Sequence, residues 1–425
     1  MLRWIKKCLS ASLCNEFLKK ALNRRAVGDI IISNNKESEV NMIKIFHIAD
    51  LHLDSPFSGG DIRRSEAGRN RLRQVFRRMM KHIRETGYDI VLIAGDLYDC
   101  GFVTEETAEM IRSELGSLPC PVVISPGNHD PYGKGSLYSS SGFSDNVHIF
   151  KEEKPTKFDF DNIGVSVWGY AFNETVYKEN PIKDIETDRR NINILCAHGE
   201  IGAPLSPYAP MTYGDIEQAG FIYAALGHIH KAPAIFRSTS CTCAYSGFAE
   251  GRAFDEIGKG SALSVSIFET GENSEVKIEP LSFSSYSFEI LPVNVYLHQN
   301  DAEIAASVSL AISEKGYGKN NAVRVNLEGF LDSGYTPSLS AIARKCKDEV
   351  DYLEIKDNTL PLGDDSLLSD MTLRGEFYRI MREKIENGER GDIAATAMRI
   401  GLAALEGRDI SAFMPGEKDE MGEEN

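Results

Sequence analysis

Five of the nine histidines in this chain sit in short motifs that pair imidazole with a carboxylate, an amide or glycine. In chain order these are Asp50-Leu51-His52, Gly95-Asp96-Leu97-Tyr98-Asp99, Gly127-Asn128-His129-Asp130, His198-Gly199 and Gly227-His228-Ile229-His230. Carboxylate, amide oxygen and imidazole together suit borderline divalent metals such as manganese, iron or zinc, whereas calcium takes oxygen alone. In extended chain, residues i and i+2 point to one side. Asp50 with His52, and His228 with His230, can therefore each present two donors to a single cavity, which two ions can share. The glycines ahead of Asp96, Asn128 and His228 allow tight turns and let backbone pass close to a bound ion or phosphate. One such motif alone is more often incidental than functional; the ordered set is what points to a metal centre. His47, His82, His148 and His298 lack this context and read as structural.

A centre gathered from distant segments needs a scaffold, and the hydrophobic pattern supplies one. Apolar runs at 43–49, 89–94, 122–125, 163–168, 192–197 and 221–226 read as strands, and the motifs fall directly after them. In α/β sheets, ligands bind at the carboxyl ends of strands. Between the first two runs, Leu72, Val75, Phe76, Met79, Met80 and Ile83 form one helical stripe under an arginine-rich face. A further helix is predicted over 104–115, and a β-rich run over 243–278. The expected fold class is layered α/β: a two-sheet β-sandwich flanked by helices. Beyond residue 281 a new strand–helix alternation (290–297, 301–313, 322–327, 338–346 and a strand near 352) predicts a small separate α/β unit. Two helices follow from 366, split at 387–391. The expected division is an N-terminal extension (1–41), a catalytic domain (42–284), a capping domain (285–360), C-terminal helices available to a partner (361–412) and a disordered acidic tail (413–425).

Composition narrows the class. With 425 residues and 42% hydrophobic content, the chain is long enough for more than one core. No stretch approaches the roughly 20 apolar residues of a membrane span, so a soluble, cytoplasmic protein is expected. The eight cysteines contain no CxxC pair, which argues against a zinc ribbon or a disulfide framework. A net charge of −16 excludes a generally basic nucleic-acid coat, while leaving room for a local track through Arg63, Arg64, Arg69, Arg71, Arg73, Arg77, Arg78, Lys81 and Arg84. Residues 1–25 are basic and loosely amphipathic. An upstream start preceding the initiator Met42 fits them better than a transit peptide or membrane-surface helix. No P-loop pattern is present, so any ATP dependence would come from a partner.

The five motifs, in this order, resemble the signature of calcineurin-like metallophosphoesterases over residues 50–230. The resemblance implies one divalent ion held by Asp50, His52, Asp96 and His230, and another by Asp96, Asn128, His198 and His228, with Asp96 bridging. Manganese is the expected metal, with iron or zinc as alternatives. It further implies that His129 is the catalytic histidine and that Asp130 orients its ring; Asp99 reads either as a carboxylate behind the ligands or as a solvated loop carboxylate. With only Asp50 and Asp96 as charged ligands, two ions would leave a surplus of about +2 to attract a phosphodiester and hydroxide. Flanking stretches, Ala49 to Phe57, Tyr208-Ala209-Pro210 ahead of Ala225 to Lys231, and Tyr245 to Arg252 followed by Glu256 to Gly260, resemble the SbcD-type branch and its YhaO-like members. That branch implies a manganese-dependent DNA exonuclease in DNA repair, working beside an SbcC-like coiled-coil ATPase and open to homodimerisation. Helical residues Leu373, Phe377, Ile380, Met381 and Ile385 are candidates either for docking the ATPase or for packing against the chain's own body, and Arg252 either contacts substrate or braces its loop. The alternatives are a phosphatase or phosphodiesterase for a small nucleotide, and a weakly active adaptor that positions DNA.

Overall fold

A computed structural model describes residues 42–56, 62–188, 191–231, 233–270, 273–296, 298–332, 335–362, 365–387, 391–405 and 407. The expected N-terminal extension and acidic tail lie outside the described residues. The first half of the chain lays down β1 (Met42–Ile48), α1 (Ile62–Thr86), β2 (Ile90–Ile93), α2 (Glu105–Gly116), β3 (Val122–Ile124) and β4 (Val147–Ile149). There follow β5 (Thr156–Phe160), β6 (Val165–Gly169), β7 (Ile192–His198), α3 (Tyr213–Ala219), β8 (Tyr223–Gly227), β9 (Ala234–Arg237) and β10 (Thr242–Tyr245). The long hairpin β11 (Ala262–Thr270) and β12 (Asn273–Leu281) then returns to the first sheet.

Two six-stranded mixed sheets result, in the orders β12-β11-β1-β2-β3-β4 and β5-β6-β7-β8-β10-β9. β1 to β4 run parallel, and so do β6, β7, β8 and β10. The site strands therefore present their carboxyl ends in a common direction within each sheet. Strand alternation explains the layering: Ile43 and Ile45 of β1 enter the core between the sheets, while Phe46 and Ile48 face the helices. The α1 stripe predicted from the sequence is buried whole against that outer face. α2 starts where Thr104 accepts a hydrogen bond from the Thr107 backbone N–H, with Glu105 and Glu106 in its first turn favouring the helix dipole. His47 ties the two sheets together. Its Nδ1 lies 2.8 Å from the Tyr223 hydroxyl and its Nε2 3.2 Å from the Leu226 carbonyl, and burial pushes its pKa down to about 3. It is a neutral structural histidine.

The remaining chain forms β13 (Ser287–Asn294), α4 (Asp301–Glu314), β14 (Asn321–Glu328), β15 (Phe330–Asp332), α5 (Leu339–Cys346), β16 (Tyr352–Asp357) and β17 (Leu360–Leu362). β13, β14 and β16 make a parallel three-stranded sheet, one face of which shares a core with α4 and α5. Finally come α6 (Asp365–Ser369), α7 (Leu373–Glu386) and α8 (Gly391–Leu405), packed around Tyr378, Ile385, Ala394 and Met398. Among the described residues no helix is long and apolar enough to cross a membrane. Cys100, Cys120, Cys196, Cys241, Cys243 and Cys346 are free thiols.

Candidate metal centre

Loops from five strand ends meet between the two sheets. Asp50 and His52 follow β1, Asp96 and Asp99 follow β2, Asn128 and His129 follow β3, His198 ends β7, and His228 and His230 follow β8. One nitrogen or oxygen each from Asp50, His52, Asp96 and His230 lies within 4.8 Å of all the others. His198 Nε2 is 3.3 Å from Asp96 Oδ2 and 2.9 Å from Asn128 Oδ1, and the His228 ring stands edge-on to His198 at 5.2 Å. The seven ligand candidates thus share one centre, with Asp96 between the two groups.

The way the loops achieve this differs from the expected strand alternation. Asp50 (φ 51°), His52 (φ 46°), Asp96 (φ 52°) and His228 (φ 105°) all have left-handed backbone, so their side chains converge through turns rather than through extended chain. Such conformations cost roughly 1 to 3 kcal/mol each and persist where surrounding contacts over-determine them. Here the contacts are visible: Asp50 N donates to Gly95 O, His52 N to Asp96 O, and His228 N to both Asp50 oxygens at 3.0 and 3.1 Å. Close approach also dictates the glycines. A Cβ on Gly95 would overlap the His198 imidazole, and one on Gly127 would overlap the Asp96 carboxylate.

The orientation of each imidazole is fixed from behind. His52 Nδ1 lies 2.7 Å from Asp99 Oδ1, His230 Nδ1 lies 2.9 Å from Glu256 Oε1, and His198 Nδ1 lies 2.9 Å from the Ala94 carbonyl. With Nδ1–H donating to oxygen, each Nε2 keeps its lone pair for the cavity. The His52 and His230 Nε2 atoms then face one another at 3.1 Å, an arrangement that needs a cation between or beside them. Metal-free, that cation is a proton. Burial opposes charge on His230 and His198, yet the carboxylates of Asp50 and Asp96 respectively outweigh it and raise them to about 10 and about 9. Burial, followed by the charge of His198, pushes His228 down to about 4. Imidazoles that carry protons only because carboxylates demand positive charge are a donor set that divalent ions fit.

His129 stands at the rim, its side chain about half exposed. Its Nδ1 is 3.2 Å from Asp99 Oδ1, and this bond raises its pKa above the usual imidazole value against the effect of burial. The same contacts correct one expectation. Asp130 does not orient His129: its carboxylate turns inward and accepts from Gly127 N, Leu97 N, Asp96 N and the Tyr138 hydroxyl at 2.7, 2.7, 3.1 and 2.6 Å. Sequence neighbours point apart, so the ring meets Asp99 from the next loop instead. Burial and then the Asp96 charge push Asp130 up to about 6, against four donors that all favour its carboxylate.

Arg252 makes hydrogen bonds to both oxygens of Glu256, lies 3.3 Å from Ser55 Oγ, and has Nη2 3.0 Å from His230 Nδ1. Burial works against Glu256 as a charge, but the bonds from His230 and Arg252 outweigh it and bring it down to about 2. Glu256 is the site residue to which sequence reasoning gave no role; its signals were its place four residues after Arg252 and at the head of the flanking stretch Glu256 to Gly260. The Tyr208 ring, 4.6 Å from that of His228, is a second such contact. The arginine-rich face of α1 is largely engaged within the molecule. Arg73 bonds Asp54 and Thr107, Arg78 bonds the Phe283 carbonyl twice, Arg84 pairs with Glu114, and Arg71 lies 3.9 Å over the Tyr286 ring.

The family model for calcineurin-like phosphoesterases matches residues 43–231. An uncharacterized metallophosphoesterase, YhaO of Bacillus subtilis, is 28% identical over 230 residues, which are 51% of this chain and 55% of that protein. The chain therefore spans about half the length of that relative. The SbcD component of the nuclease SbcCD from Staphylococcus epidermidis is 25% identical over 274 residues, 56% of this chain and 70% of that protein. Among solved structures, the calcineurin-like phosphoesterase YfkN from Bacillus subtilis covers 57% of this chain and 91% of its own at 12% identity, with a TM-score of 0.34. All five motif loops fall inside the matched span, and residues 43–231 are a calcineurin-like phosphoesterase domain.

Proposed function

We propose that this chain is a two-metal phosphodiesterase, acting as a DNA exonuclease in DNA repair beside an SbcC-like ATPase in the cytoplasm. One observation carries the reading: Asp50, His52, Asp96 and His230 meet within 4.8 Å, beside a half-exposed His129 held by Asp99. One ion is assigned to Asp50, His52, Asp96 and His230, the other to Asp96, Asn128, His198 and His228, with manganese as the metal. Bound there, two divalent ions supply an acidified water and neutralise phosphoryl charge.

The chain's own groups do the rest. Asp96 faces both ligand sets and holds them in register, and the His129 backbone N–H donates to its Oδ1 at 2.9 Å. With Nδ1 held by Asp99, His129 presents Nε2 to the open side, where its proton can pass to the leaving oxygen as the P–O bond breaks and water oxygen bonds to phosphorus. Asp99 keeps that imidazole charged beforehand; burial opposes its own ionisation, but bonds from His129 and His52 hold it below the usual carboxylate range. DNA as substrate and the ATPase as partner rest on the likeness to the SbcD component of SbcCD. Of the expected docking positions, Leu373 and Ile380 on α7 are exposed and keep that assignment, with exposed Met371 just before the helix, whereas Ile385 is buried in the chain's own core and Met381 packs against it.

The test is a manganese-supplemented assay on linear duplex, circular duplex and mononucleotides, comparing wild type with Asp96→Asn and His129→Ala. Degradation of linear DNA alone, lost in both variants, is the expected result. Turnover of mononucleotides in preference to DNA ends would replace the exonuclease reading with a small-nucleotide phosphatase, and full activity in both variants would overturn the catalytic assignment.

A further inference from the structure

The segment between Gly247 and Gly260 touches the metal centre on one side and the three-stranded sheet on the other. On the first side, Glu256 holds Nδ1 of His230 and Arg252 in turn donates to Glu256. On the other, Phe254 packs against Phe288 of β13 (ring centroids 5.2 Å) and Tyr352 of β16 (6.2 Å), and the Arg324 guanidinium of β14 lies 4.0 Å over its ring. Arg324 is itself held by Glu354 at 2.9 Å. Strand register puts these residues on one face: Phe288 and Tyr352 both pair with Ala322, while Arg324 pairs with Ile290 and Glu354. The opposite face is the one buried against α4 and α5. The backbone is held as well, since Gly258 N donates to Phe288 O at 2.9 Å and Gly251 lies so close that a Cβ there would press on the Glu256 carbonyl and the Phe288 ring, at 3.0 and 3.1 Å.

We infer that Phe254 and Arg324 are positioning residues for the metal centre, through which the three-stranded sheet sets the angle of the Arg252–Glu256 pair and so of His230. The inference rests on the metal-centre reading above and adds to it a dependence of one ligand set, and not the other, on the far sheet. A guanidinium over a partly buried ring is attracted to its face, so Arg324 favours one orientation of the turn that carries Phe254. Groups that orient a metal-ligating histidine typically change metal affinity about 10- to 100-fold when removed.

The experiment is calorimetric titration of the full chain with Mn2+, using wild type, Phe254→Ala, Arg324→Met, Glu256→Gln and the Phe254→Ala/Glu256→Gln double variant, with thermal unfolding in parallel. Wild type should take two ions. Phe254→Ala and Arg324→Met should each weaken one binding step about 10-fold and leave the other unchanged. In the Glu256→Gln background, Phe254→Ala should add less than about 2-fold, because both act on His230 through the same pair. Equal weakening of both steps, an undiminished Phe254→Ala effect in that background, or two unaltered steps would overturn the inference while leaving the two-metal reading intact. Wild type that binds no Mn2+ would overturn both. Should Phe254→Ala fail to fold, Arg324→Met alone carries the same test.

Discussion

At the scale of the residue, the centre is a set of imidazoles whose back nitrogens are fixed so that their front nitrogens face a cavity, and this has consequences for pH. In metal-free protein, His198 and His230 are raised to about 9 and about 10 from a usual 6.5. Their contribution to stability is therefore complete below about pH 6.5 and is lost as pH rises through those values. Thermal unfolding in chelator should show this alkaline loss, and Mn2+ should remove it by taking the place of the protons. In the proposed mechanism the relevant group is His129, raised by its bond to Asp99. It must carry its proton, so kcat/KM should fall as pH rises through its pKa. Asp99→Asn removes the carboxylate charge behind that bond and should move that fall to lower pH, as a pH–rate profile would record. The five motifs made nearly every ligand candidate legible in the sequence, because the carboxyl ends of strands are where distant loops gather. Glu256 and the turn of Asp130 away from His129 were not legible: both depend on which loops lie side by side, and the chain order does not state that.

At the scale of the element, the buried strands and the long helix could be read from pattern, since each is continuous in apolar character. β1, β2, β7 and β8 are buried along nearly their whole length, and α1 hides its full stripe. Phe76→Ala in α1 should cost about 3 to 5 kcal/mol by chemical denaturation, the range for removing a fully buried aromatic. The elements that escaped are β4, β5, β9, α3 and the short pair β15 and β17. β4, β5 and β9 lie at sheet edges, are short, and keep residues such as Lys157, Asp159 and Arg237 half or fully in solvent, so the alternation signal is weak. α3 has only seven residues and is fixed by a capping box in which Thr212 and Asp215 exchange hydrogen bonds. Thr212→Ala should lower stability by about 1 kcal/mol while leaving metal affinity unchanged. The left-handed backbone at Asp50, His52, Asp96 and His228 was likewise hidden, because strain of this kind is imposed by tertiary contacts and not by local propensity.

At the scale of the whole molecule, a chain with a net charge of −16 surrounds a centre that, in the proposed function, takes a polyanion, so the attraction has to be local. The basic face of α1 supplies less of it than the sequence suggested, since Arg73, Arg78 and Arg84 are held by neighbours. The metals are then the main source of positive charge, and everything proposed for this chain depends on their number and place. Metal content per chain, measured by titration with Mn2+ and elemental analysis, is the most direct test. The account predicts two ions in wild type, one in His230→Ala and one in His198→Ala, and loss of both in Asp96→Asn, which serves the two ligand sets together. A single ion in wild type, or two ions retained in Asp96→Asn, would contradict it.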